Sequence, residues 1–142
     1  MTSAATISGL QHTIEKTNVW LKELAEEPIF RDELQAYSVL RAVLHALRDR
    51  LTIEEAAHFA AQLPMLVRGF YYEGWNPAVV PKRIRDQQEF LDSIQHEFRN
   101  DVEVDALQAT KTIFKFLESK VSEGEIQDVK GLLPGPIAKL WD

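Results

Sequence analysis

Glu55 and His58 in "IEEAAH" stand three residues apart, a spacing that sets a carboxylate and an imidazole on one face of a helix. Ferritin-like two-metal centres use two such Glu-x-x-His pairs on facing helices. Here the pair occurs once, and 70 residues on the chain reads Glu125-x-x-Asp128, which would make at best a weak mixed site. Thr52 and Ser122 precede the two glutamates by three positions. A hydroxyl placed there accepts from the Glu backbone N–H while the Glu carboxylate returns to the hydroxyl residue's own N–H, a capping box. The expectation is a helix start with a solvated face, and no metal.

Arg41, His45 and Arg48 fall at i, i+4 and i+7. An imidazole between two guanidiniums could hold a carboxylate or a phosphate. The positions 70 residues later are Lys111, Lys115 and Glu118, so the arrangement is not repeated, and the expected role is the wet side of an amphipathic helix. Binding chemistry is offered more plainly by "RGFYYEGW", with Arg68, Tyr71, Tyr72 and Trp75. Phe70 and Tyr71 align with Leu140 and Trp141 at the same offset and are expected in the core. Tyr72 aligns with Asp142, and Trp75 has no counterpart. These two either staple the following segment onto the bundle or, with Arg68, anchor a partner, since Trp, Tyr and Arg dominate interface energetics. The only dense basic run is "PKRIR", which carries Lys82, Arg83 and Arg85. It can pair with Asp86, Glu89 and Asp92 directly after it, or with the acidic region of another copy.

No catalytic residue is assigned. The chain lacks a glycine-rich phosphate loop, a Gly-x-Ser-x-Gly elbow and a His-Glu-x-x-His motif. It has no cysteine, which removes disulfides, thiolate ligands and cysteine nucleophiles. No cofactor is expected.

The elements that carry these residues follow a repeat. Shifted by 70 residues, the chain matches itself without gaps from about residue 17, pairing Trp20 with Phe90, Leu44 with Phe114, Leu47 with Leu117 and Pro64 with Pro134. Each half reads as four helices. Leu10, Ile14, Leu21 and Leu24 form the apolar stripe of the first. Tyr37, Leu40, Leu44, Leu47 and Leu51 form that of the second, with Val43 widening it; Leu107, Phe114, Leu117 and Val121 do the same in the second half. Pro64 and Pro134 are expected in the first turn of each fourth helix. The fold class is all-α: one domain over residues 1–142, with repeat 1 at about 8–72, an ordered linker at 73–85 and repeat 2 at about 86–142. Each half alone is marginal in size for independent stability, which favours a single fused bundle.

Charge limits the partners. Net charge is −6, with ten Lys/Arg against ten Asp/Glu in residues 1–85 and six against twelve in residues 86–142. Nucleic acid is disfavoured, because binding it needs a basic footprint to displace counterions. There is no run of about 18 apolar residues to suggest a membrane span, and the start "MTSAATISGLQHTIEK" lacks the pattern of a secretory leader. A cytoplasmic location is expected.

"YSVLRAVLHALRDRLTIEEAAHFAAQLPMLVRGFYYEGWNP" resembles the hallmark segment of a prokaryotic family known as domain of unknown function 2267, and "SEGEIQDVKGLLPGPIAKLW" resembles its closing segment. The likeness implies a small helical cytoplasmic protein and brings no catalytic or cofactor residues with it. The expected function is a non-catalytic protein-interaction or regulatory module, binding an unknown protein partner or itself. The alternative is a small-molecule or anion-binding domain, with a pocket between the repeats lined by Arg68, Tyr71, Tyr72 and Trp75.

Overall fold

A computed structural model describes residues 7–98 and 104–142. Residues 1–6, part of the stretch read for a leader, lie outside the described residues. The helices in chain order are α1 (Ser8–Ala25), α2 (Glu33–Asp49), α3 (Ile53–Ala60), α4 (Met65–Tyr72), α5 (Gln87–Glu97), α6 (Ala106–Lys120), α7 (Glu123–Leu132) and α8 (Gly135–Ala138), with 3-10 turns at Pro77–Val79 and Lys139–Trp141. The described residues contain no strand, and no helix among them is long and apolar enough to cross a membrane.

Local chemistry sets the helix starts. Asp32 accepts from the Gln35 N–H at 2.9 Å, and Asp105 from the Gln108 N–H at 3.1 Å. Thr52 accepts from the Glu55 N–H at 3.1 Å and Ser122 from the Glu125 N–H at 3.3 Å. Each such cap is worth about 1 kcal/mol over alanine. Pro64 and Pro134 occupy the cap positions of α4 and α8, one residue earlier than expected, and α8 passes into a 3-10 turn instead of continuing as one helix.

α2 is the axis of the molecule, packed by α1, α4, α5 and α6. Leu40, Val43, Leu44 and Leu47 are fully buried, each contributing about 1.5–3 kcal/mol by leaving water. One apolar core takes in both halves of the chain, and Trp141 closes one end of it by stacking on Phe114 at 4.1 Å between centroids.

Two expectations need correction. α1 turns Thr13, Thr17, Trp20 and Leu24 inward and leaves Leu10 and Ile14 exposed. Trp20 goes with this inward face, its ring packing edge-on against Phe116 at 5.4 Å. The threonines are tolerated inside because their hydroxyls are matched: Thr17 donates to the Thr13 carbonyl at 2.7 Å, and Thr13 accepts from the Leu66 N–H at 3.3 Å. The second correction concerns α2, whose His45 and Arg48 do not face water. They are 6% and 5% exposed, because α5 and the end of α4 cover the side that the apolar pattern assigned to solvent.

Candidate functional site

The chain leaves α4 at Tyr72 and crosses the C-terminal end of α2 before entering α5. Gly74 takes φ +78°, a left-handed conformation that glycine adopts without strain, and so turns the chain back over α2. Arg48 holds this crossing from beneath. Its Nη1 donates to the carbonyls of Tyr71 (2.5 Å) and Glu73 (2.7 Å), and its Nε to Asp49 (3.1 Å). The two carbonyls belong to the end of α4, where no further helical turn supplies donors. Asp49 also holds Lys82: its carbonyl accepts the Lys82 N–H at 2.7 Å and its carboxylate lies 3.4 Å from the ammonium.

His45 joins this clamp to α5. Its Nε2 donates to the Phe70 carbonyl at 2.6 Å, and its Nδ1 lies 2.9 Å from Glu97 Oε2. Carbonyl and carboxylate oxygens only accept, so both bonds form together when both ring nitrogens carry protons. Arg41 bridges Glu73 at 2.6 Å and Glu97 at 3.3 Å. The Glu73 carboxyl is held below its ordinary range, chiefly by that hydrogen bond from Arg41. A cavity of about 270 Å³ lies between α2, α5 and the linker, bordered by His45, Arg48, Asp49, Lys82, His96 and Glu97. Arg48 and Lys82 both spend their charge on Asp49 there.

The aromatic cluster divides in two. Tyr71 is 0% exposed, lies 5.8 Å from Phe59, and its hydroxyl donates to the Ala56 carbonyl at 2.8 Å, leaving no surface to offer. Burial pushes this phenol far above its ordinary range. Tyr71→Phe should cost about 1 kcal/mol, the net worth of one hydrogen bond, read as a drop of about 3 °C in melting temperature. Tyr72 and Trp75 are half-buried, 5.3 Å apart, and pack on the core. Arg68 points elsewhere: it donates to the carbonyls of Ala60 (3.0 Å) and Leu63 (2.9 Å), closing the end of α3, and borders a separate cavity against α1. The four residues expected to line one pocket therefore do not share it.

Arg83 and Arg85 are exposed and have no carboxylate partner among the described residues. Arg50, at the end of α2, has its Nε buried with no acceptor. Its pKa is lowered first by burial and then by repulsion from Arg85.

Across residues 17–140 the sequence matches the model of a family described as "Uncharacterized conserved protein (DUF2267)". The chain belongs to this family. The matched stretch of this DUF2267 member contains every site residue named above. No curated protein matches the chain.

One cluster of the DUF2267 chain keeps its expected caps but does not form the expected solvated face. α3 packs on α7, and the ligand oxygens of Glu55, Glu125 and Asp128 lie within 4.8 Å of one another. The capping boxes are only half formed. The Ser122 N–H donates to Gln62 at 3.2 Å, and each glutamate has a carboxylate oxygen buried without a donor. The Glu125 carboxyl is pushed up to about 8, first by burial, then by its hydrogen bond to Glu55 and by the negative charges of Glu55 and Asp128. The trio could ligate a cation, but both glutamates sit in the first turn of a helix, where the dipole favours negative charge and opposes a metal. Burial and the neighbouring carboxylates favour the protonated form of Glu125. The paired Thr/Ser-x-x-Glu motifs marked the residues; nothing in the sequence alone turned the two helices toward each other.

Proposed function

We propose that this chain is a non-catalytic, cytoplasmic protein-interaction module, built as one domain of two four-helix repeats 70 residues apart, which docks an acidic protein surface on its linker. The matched starts of α3 and α7, at Ile53 and Glu123, support the repeat. The observation that carries the function is a pair of exposed linker guanidiniums without a carboxylate partner among the described residues, Arg83 and Arg85, the second of which also repels the half-buried Arg50, while the buried Arg48 is fully engaged. Charges left unmatched by their own fold raise the rate and specificity of docking to an opposite surface. Trp75 and Tyr72 stand at the start of the same linker, rings of the type that anchor interfaces.

The small-molecule reading draws on the cavity beside His45, but the cations bordering it are already held by Asp49. The interaction reading is preferred on that ground. Its test is cross-linked capture by the wild type and by an Arg83→Glu, Arg85→Glu variant, followed by titration of the purified partner against salt. Binding that weakens with salt and drops at least tenfold in the variant is expected. Equal binding by both proteins would sink the proposal.

A further inference from the structure

We infer that the linker's acidic partner is a second copy of this chain, paired about a two-fold axis that crosses residues 82–92. The inference rests on the interaction reading above and names its partner. Arg83 and Arg85 are exposed cations; Glu89 and Asp92 follow within seven residues of Arg85 and are exposed acids. No ion pair joins these four to any described residue. Asp92 accepts only from Gln88 Nε2 at 2.9 Å, a neutral donor.

The two signs do not pair with one another within the chain, although the sequence places them close together. Arg85 and Glu89 are four apart, yet Arg85 precedes the helix, whose cap is Asp86, so the pair lacks the helical geometry that brings i and i+4 together. Phe90, Leu91 and Ile94 hold α5 to the core, which fixes Glu89 and Asp92 on its outer face. A basic end and an acidic end on one short, ordered segment form a self-complementary patch. A two-fold interface lays each end on the opposite end of its neighbour, so both contacts are made at once. Val79, 53% exposed in the same linker, adds apolar surface at the edge.

The overall charge of −6 opposes association only at long range. At about 0.1 M salt the Debye length is about 10 Å, so distant acids are screened while touching charges still attract. The dimer should therefore be weak, specific and sensitive to salt.

Sedimentation equilibrium of the full chain, up to several hundred micromolar protein, tests this in 0.1 M and 0.5 M salt. The wild type should self-associate and weaken about tenfold at the higher salt. Arg83→Glu with Arg85→Glu, and separately Glu89→Lys with Asp92→Lys, should each be monomeric alone. Mixed one to one, they should form a heterodimer, because at these four positions one copy then presents acids and the other bases. Glutamine at Arg83 and Arg85 replaces the reversal if circular dichroism shows a damaged fold, and it too should be monomeric. A wild type that stays monomeric, or variants that do not pair on mixing, overturns the inference. If the wild type is monomeric yet still binds another acidic protein through Arg83 and Arg85, only the self-pairing fails and the interaction module stands.

Discussion

Arg48→Ala lowers the melting temperature by about 10 °C. The guanidinium is buried and donates to two carbonyls and one carboxylate. Charge-assisted hydrogen bonds to buried groups are worth about 1.5–3 kcal/mol each, and a polar group left without its partner costs a further share. Removing Arg48 strands the Tyr71 and Glu73 carbonyls and leaves Asp49 with Lys82 alone, for a net loss of about 3 kcal/mol or more. At this chain length each kilocalorie is worth about 3–4 °C. Lysine should recover little, because one ammonium on a flexible stem cannot reproduce the planar fork. A thermal melt gives the number; a drop under 3 °C would show that the clamp is redundant. Local loosening has its own readout. Trypsin should cut after Lys82, Arg83 or Arg85 faster in the variant, because the loss falls on the crossing these residues follow.

The second large effect is a stability that falls as pH rises. Unfolded, the Glu125 carboxyl titrates near 4.5; folded, it is pushed up to about 8. Between these values the folded protein holds a proton that the unfolded chain has released. Stability from this group is complete below the unfolded value, declines through neutrality, and is gone above the folded value. The groups that face it are Glu55 and Asp128, with His58 4.0 Å from Glu55 and the Tyr71 phenol nearby. Asp32 and Glu73 act in the opposite sense and at lower pH. Both are held below the ordinary carboxylate range, Asp32 mainly by the Gln35 N–H and Glu73 mainly by Arg41. Their contribution is present at neutral pH and lost only as pH falls through that range. Glu125→Gln keeps the shape, keeps a donor for Glu55 and carries no charge. It should melt with the wild type near pH 5, melt several degrees higher at pH 9, and show no decline between. A wild-type melting temperature that is flat from pH 5 to 9 would mean that Glu125 does not hold its proton through neutrality.

The all-helical class and the starts of α3 and α7 were legible in the sequence because they depend on neighbours a few residues away. Thr52 and Ser122 cap the helices they precede, and a side chain reaching an N–H three positions on is a local event. Leu40, Leu44 and Leu47 could be placed inside because a three-or-four-residue period gives one face to whatever lies beyond. The likeness to the DUF2267 family was legible for a similar reason: short runs of letters hold their spacing along the whole chain.

Tertiary structure decided the rest, wherever a side chain's fate depends on which element covers it. Periodicity marks one apolar face and assigns the opposite face to water. α2 has neighbours on several sides, so His45 and Arg48, on that opposite face, became the clamp beneath the linker. Leu10 and Ile14 stayed exposed while Trp20 turned inward, where its ring meets Phe116 from another part of the chain. Glu55 and Glu125 had each looked complete within its own helix. Only the packing of α3 on α7 brought the two carboxyls together, where burial and like charge favour a protonated Glu125.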